Sequence, residues 1–339
     1  MLMRSAVLLL PLWMAAGAAG QTINGAGATF PYPIYARWFD AYQQLHPGVE
    51  INYQAIGSGA GIQKIMDGAV DFGASDSPLS DEQMAQAQAK LGTPVLHFPT
   101  VAGGAVPAYN IPSLQGEVRF TPESLSGIFL GAIRRWDDPA IARDNPGLRL
   151  PGNAIVVVHR ADGSGTSYCF TDYLSKVSAE WKRRVGKGTT VAWPVGASAR
   201  GNEGVAALIK QTPYSIGYVE LVYALQNGIS YGSVRNAAGG FIRADLASVA
   251  AAAEGGVASI PEDFRVSITD APGRGAYPIS TFTWLLVPEK GGNPATRKAL
   301  VAYLRWALTD GQRITRTLQY APLPRKLADR EVKALSKIQ

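Results

Sequence analysis

Three loops rich in glycine and hydroxyl side chains hold most of the chemistry available to this chain. The first is Gly25-Ala26-Gly27-Ala28-Thr29-Phe30, ahead of a helix. The second is Gly57-Ser58-Gly59, between a strand and a helix. The third is Arg160-Ala161-Asp162-Gly163-Ser164-Gly165-Thr166-Ser167, again between strand and helix. A helix start has unpaired backbone N–H groups and a partial positive charge. Glycine lets the backbone approach a bound group closely. Such places take phosphate, sulfate or carboxylate. Only the third loop adds a full positive charge, from Arg160. For any one loop, ordinary capping of its own helix by Ser or Thr is the better account. Three such loops, with one Arg and carboxylates close by in sequence, point to an anion site instead.

Other chemistries find less support. The turn Gly57-Ser58-Gly59-Ala60-Gly61 suggests a dinucleotide loop, but Ile62 stands where the third glycine is needed. No Gly-Lys-Ser/Thr follows any glycine loop, so there is no Walker A pattern. Gly73-Ala74-Ser75-Asp76-Ser77 resembles a nucleophile elbow without its last glycine. His46, His97 and His159 lie far apart, and Cys169 is the single cysteine. That spacing speaks against a zinc site and excludes an internal disulfide framework. His159, beside Arg160, is the only candidate base, and an apolar strand end is more often structural. Cys169 reads as a small core residue. Trp136-Asp137-Asp138-Pro139 reads as a helix end and turn. No cofactor is implied.

The elements that must position the loops follow from periodicity. Ile34, Tyr35, Trp38, Phe39, Tyr42 and Leu45 recur at helical spacing. Val49, Ile51, Tyr53 and Ala55 alternate as a strand does. Ile62, Ile65, Met66 and Ala69 mark a second helix, and 71–74 a short strand. Ser80 with Gln83 forms a capping box for a helix over 81–90. Residues 94–98 read as a strand, and a second block begins near Val101. Thr121-Pro122 opens a helix. Strands are expected at 155–159, 216–219 and 281–287, and helices at 202–211 and 295–308. Residues 236–275 are weakly patterned around an Ala-rich helix. Alternating strands and helices argue an α/β fold. With no Ser-rich or charged linker, two lobes joined by short crossings fit better than separate beads.

The chain has 339 residues, of which 47% are hydrophobic and 17% charged, so it is neither disordered nor a disulfide-stapled mini-protein. Its formal net charge of +6 suits an anionic ligand mildly. The densest basic cluster, Lys182-Arg183-Arg184, reads as a solvated helix end, so no nucleic acid is implied. At the N-terminus, Arg4, an apolar run over 6–16 and the small residues Gly17 to Gly20 read as a cleaved secretory signal. The run is shorter than the ~20 residues a membrane span needs. No cysteine follows it for lipid attachment. The protein is expected to be exported.

At its loops the sequence resembles the periplasmic substrate-binding proteins of phosphate-specific ABC importers. The resemblance rests on GAGATFP at 25–31, IGSG at 56–59, VDFGASDSPLSD at 70–81, FPTV at 98–101, ADGSGTS at 161–167 and IGYVE at 216–220, in order along nearly the whole chain. It implies a two-lobed α/β periplasmic-binding-protein fold, type II-like, with a hinge. The lobes are expected at 21–100 plus 276–339 and at 101–275, behind a signal at 1–20. The implied phosphate ligands are Thr29, Phe30, Ser58, Asp76, Arg160, Ser164, Gly165 and Thr166, with Asp162 holding Arg160. The implied partners are inorganic phosphate and the importer's permease subunits, the carrier itself being a monomer and not an enzyme. Two departures stand out: Gly59 follows Ser58 where the family pattern has Ser, and His159 precedes Arg160 where it has Arg. Two other readings stay open, a receptor for sulfate or molybdate and an exported phosphatase.

Overall fold

The computed structural model describes residues 20–339, so the signal expected at 1–20 lies outside it except for Gly20. Eight strands form the main path of a nine-stranded sheet: β1 (Gln21–Gly27), β2 (Val49–Ala55), β3 (Phe72–Ser75), β4 (Val95–Asn110), β5 (Val156–Arg160), β6 (Ala197–Ala199), β7 (Ser215–Glu220) and β8 (Ser280–Pro288). Their order is β2-β1-β3-β8-β4-β7-β5-β6. β1 pairs in parallel with β2 and β3, and β5 in parallel with β6 and β7. The connections between parallel neighbours pass through helices, as parallel pairing requires. This is the α/β architecture the alternating pattern implies, built as two parallel sub-sheets.

β4 joins them. Up to Gly104 it pairs antiparallel with β8, and from Ala105 it pairs antiparallel with β7. The sequence reads as a strand ending at Phe98 with a new block beginning near Val101. The structure instead runs one strand of 16 residues straight through. Pro99 is tolerated because it borders a register shift, where Thr283 faces Val101 and Trp284 faces Pro99. Bulges are among the few places in a sheet that accept proline.

The first helix, Tyr32–Leu45, starts two residues earlier than its apolar period suggests, with proline in its first turn. Its buried face, Ile34, Tyr35, Trp38 and Tyr42, lies in the core, and Trp38 Nε1 donates to Gly311 O at 2.8 Å. The Ser80/Gln83 capping box forms as expected and opens the helix Asp81–Leu91. Trp136-Asp137-Asp138-Pro139 requires a correction, because it starts a helix and does not end one. Asp138 accepts from the Ala140 amide and caps Pro139–Ala142, while Trp136 is buried. Cys169 is buried in the core, and Lys182-Arg183-Arg184 close an exposed helix end. In the weakly patterned stretch, Asp245 and Ser248 box the helix Leu246–Gly256. Among the described residues no helix is long and apolar enough to cross a membrane.

Candidate anion-binding site

The three loops meet at the ends of β1, β3 and β5. Gly27 ends β1 with φ +148°, and a Cβ there would lie 2.0 Å from Ala74 O, so only glycine brings this strand end so close to β3. The turn then carries Thr29 and Phe30 into the site. Ser58 opens the helix Ser58–Met66, and Gly165 opens the helix Gly165–Val177. The second and third loops touch each other, with the Gly59 amide donating to Gly163 O at 2.9 Å.

Every residue expected in the site is drawn together here. Ser58 Oγ accepts from the Gly165 amide at 3.0 Å and from the Asp76 amide at 3.2 Å. Arg160 forms a two-pronged ion pair with Asp162, Nε to Oδ1 at 2.8 Å and Nη2 to Oδ2 at 2.5 Å. Its remaining nitrogen, Nη1, lies 3.5 Å from Thr166 Oγ1. The Gly201 amide also donates to Asp162, at 3.1 Å. Burial opposes the charged form of Asp162, but these donors outweigh it and hold its pKa below the usual carboxylate range. Ser164 behaves as local capping predicts, its Oγ accepting from the Ser167 amide. Phe30 is buried, with its ring where a side chain on Gly103 would otherwise sit.

Asn202 is the residue that loop reading misses. The Glu220 amide donates to its Oδ1 at 2.9 Å, which orients the side-chain amide so that Nδ2 is the free donor. Nδ2 then bridges Thr29 Oγ1 at 2.9 Å and Thr166 Oγ1 at 3.1 Å, joining the first loop to the third. Thr283 is missed as well, and its hydroxyl donates to Asp76 Oδ1 at 2.8 Å.

The hydrogen bonds set what the site can hold. A hydroxyl has one proton to give. Thr29, Ser58, Ser164 and Thr166 all use their oxygens to accept from protein N–H groups, which leaves each proton to donate elsewhere. Among the described residues no backbone group accepts from the Thr29 and Phe30 amides. With Arg160, this makes a concentration of donors suited to a small oxyanion. Asp76 is the exception. It is 1% exposed, and burial pushes its pKa up to about 7, against the pull of Thr283, the Arg160 charge and Ser58. Among the described residues no three His, Cys, Asp or Glu are grouped to hold a metal ion.

Residues 14–311 match the PBP superfamily domain model. A phosphate-binding protein PstS of Xylella fastidiosa is 46% identical over 306 residues, covering 90% of this chain and 82% of that one. The PstS of Haemophilus influenzae is 42% identical over 308 residues, covering 91% and 90%. The chain belongs to the PstS family of phosphate-binding proteins. Solved structures agree on the two-lobed binding-protein fold. PfluDING, a high-affinity periplasmic phosphate-binding protein bound with phosphate, superposes with a TM-score of 0.74 at 24% identity, covering 92% of this chain and 93% of that one. A phosphate-binding protein from Stenotrophomonas maltophilia gives 0.73 at 19%, covering 93% and 94%.

Two predictions arise from this geometry. Asn202→Ala removes the donor shared by Thr29 and Thr166 and orphans the Glu220 amide. At about 0.5–1.5 kcal/mol per hydrogen bond, anion binding is expected to weaken by about 1–2 kcal/mol, read by titration calorimetry. The second concerns Asp76 in the anion-free protein. Its native pKa lies above the ordinary Asp value, so the native state holds a proton the unfolded chain releases, and stability falls as pH rises between those values. Asp76→Asn is therefore expected to melt higher than the parent at pH 8 in phosphate-free buffer. The gap should open between about pH 4 and 7 and vanish below that range.

Proposed function

We propose that this protein captures inorganic phosphate by closing two lobes around it and hands it to the permease subunits of an ABC importer. The observation that carries the reading is one buried carboxyl, Asp76, set among hydroxyl, amide and guanidinium donors. Neutral phosphate solutions hold anions that both accept many hydrogen bonds and donate at least one. Such a ligand satisfies the donors and Asp76 together. A buried anion left unpaired would be very costly, so the many donors have a physical reason to converge. The names of the PstS relatives support the same ligand.

The first lobe comprises β1, β2, β3 and β8 with their helices, and the second β5, β6 and β7. The crossing lies between Gly104 and Ala105, where the pairing of β4 changes partner. We assign 276–339 to the first lobe and the stretch up to 275 to the second, and the change of partner along β4 supports a crossing a few residues after the expected boundary at 100/101. Phosphate binds through Thr29, Phe30, Ser58, Asp76, Arg160, Ser164, Gly165 and Thr166, with Asp162 steadying Arg160. The protein works as a monomer in the periplasm, reached through a cleaved signal at 1–20 and without a lipid anchor. It is a carrier and not an enzyme.

Titration calorimetry with phosphate and with sulfate, run beside a phosphatase assay, tests the reading. Tight phosphate binding, weak sulfate binding and no turnover are expected. Sulfate binding as tight as phosphate would favour a general oxyanion receptor, and turnover an exported phosphatase. Closure has its own measurement. Small-angle scattering is expected to show the phosphate-free protein as more extended, and phosphate to compact it. One unchanged shape would argue against a hinged carrier.

A further inference from the structure

Three successive carbonyls in the first loop each accept from a tyrosine hydroxyl. Tyr53 donates to Ala28 O at 2.7 Å, Tyr223 to Thr29 O at 2.6 Å, and Tyr320 to Phe30 O at 2.6 Å. The three come from distant parts of the chain: β2, the helix Leu221–Asn227 after β7, and the turn after residue 318. The peptide bonds here are trans. A trans peptide is planar, so each carbonyl points opposite to the N–H of the residue that follows. Holding Ala28 O therefore sets the direction of the Thr29 N–H, and holding Thr29 O sets that of the Phe30 N–H. Those are the two amides from which no backbone group accepts. Holding Phe30 O sets the peptide to Pro31, which has no N–H at all.

We propose that Tyr53 and Tyr223 are positioning residues for anion capture, each aiming one backbone amide, Thr29 and Phe30 respectively, into the site. This rests on the phosphate-carrier reading above. The two act at different moments. Tyr53 belongs to the same lobe as the loop, so the Thr29 amide is aimed before any anion arrives. Tyr223 comes from the other lobe. The Tyr32 amide already donates to Thr29 O at 3.1 Å from within the turn, so closure adds the shorter Tyr223 bond and fixes an aim of the Phe30 amide that the turn only begins. Its single hydroxyl proton has two acceptors in reach, Thr29 O at 2.6 Å and Glu203 Oε1 at 3.1 Å. In the open protein it turns to Glu203, and closure transfers it to the loop. Tyr223 is 4% exposed, and burial raises its pKa well above the ordinary phenol value, so it remains a donor. Closure thereby firms the donor set for the anion that induces it.

Tyrosines that merely satisfied buried carbonyls would behave differently. Their loss would lower stability without singling out one amide. The test uses the full chain labelled with nitrogen-15, and proton–nitrogen spectra with and without inorganic phosphate. In wild type both the Thr29 and Phe30 amide protons should move downfield on adding phosphate. In Tyr223→Phe the Phe30 response should fall below half while Thr29 keeps its own, and Tyr53→Phe should show the reverse. Tyr320→Phe should spare both. Phosphate affinity should drop about three- to tenfold in the first two variants, the loss of one neutral hydrogen bond, and less than about twofold in the third. The inference is overturned if Tyr223→Phe leaves the Phe30 response intact, if it shifts both amides alike, or if its affinity stays within twofold of wild type. Should Tyr53→Phe fail to fold, the contrast between Tyr223→Phe and Tyr320→Phe decides alone. A wild type that takes no phosphate overturns the carrier reading itself, which differs from a wild type that binds while its variants respond alike.

Discussion

Arg160→Ala is expected to weaken phosphate binding by at least about 1.5–3 kcal/mol, the worth of hydrogen bonds to charged groups, or roughly 10- to 150-fold in Kd. Its side chain is only 1% exposed, so water cannot take its place cheaply. The structure pushes the expectation toward the upper end. Removing the guanidinium takes both its Nε and Nη2 donors from Asp162, whose carboxylate keeps only the Gly201 amide. An unpaired negative charge then stands beside the incoming anion. Arg160→Lys is expected to recover only part of the loss, because an ammonium cannot reproduce the planar fork on Asp162 while reaching Thr166. Arg160→Ala with Asp162→Asn should bind better than Arg160→Ala alone, since it removes the repulsion without restoring the donor. Titration calorimetry on the four proteins measures this. Wild-type affinity in Arg160→Ala would mean that the anion sits elsewhere.

The helix starts that carry Ser58 and Gly165 were readable because their signals are local. Small residues, hydroxyls and a change of period lie within a few positions of one another. The partners that complete the site are not local. Thr29 and Asn202 are 173 residues apart, and Asp76 and Thr283 are 207 apart. Nothing in the neighbourhood of either distinguishes it. Asn202 sits where a helix was expected to begin, and Asn at a helix start reads as a cap. In the structure Arg200 occupies the cap position, and the Asn202 side chain is turned to the cleft. The tyrosines show the same limit. Tyr53 alternates with apolar neighbours and reads only as one face of a strand, yet its ring is packed while its hydroxyl holds a loop carbonyl. The two-lobed plan was legible from alternation, but the crossing was not. Pro99 and the Gly103-Gly104 pair imitate a strand end, and only the pairing of β4 with β8 and then β7 shows one continuous strand.

Asp76→Asn is expected to narrow the gap between phosphate and sulfate by about tenfold or more, tenfold being about 1.4 kcal/mol. An ionised carboxylate only accepts hydrogen bonds. Its Oδ1 already accepts from Thr283, while Oδ2 faces the start of the helix at Gly165, where an added Cβ would stand 2.5 Å away. A phosphate oxygen that carries a proton can donate to that carboxylate. Sulfate carries none near neutral pH, so it would set an acceptor against an acceptor, with repulsion added. Discrimination thus comes from penalising the wrong anion as much as from rewarding the right one. The asparagine amide can donate to either anion, which removes the penalty. The pKa of Asp76 adds a second, independent signature. Burial lifts it to about 7, so below that pH the carboxyl is protonated and becomes a donor itself. Wild-type affinity for sulfate should therefore rise as pH falls through about 7, while that of Asp76→Asn should stay flat over the same range. Competition titrations of both anions against both proteins, from pH 5.5 to 8.5 on the order of one step per half unit, separate the outcomes. If the phosphate-to-sulfate ratio is the same in the two proteins at pH 8, Asp76 does not choose the anion. Its buried carboxyl would then serve only to tie the turn after β3 to Ser58 and Thr283.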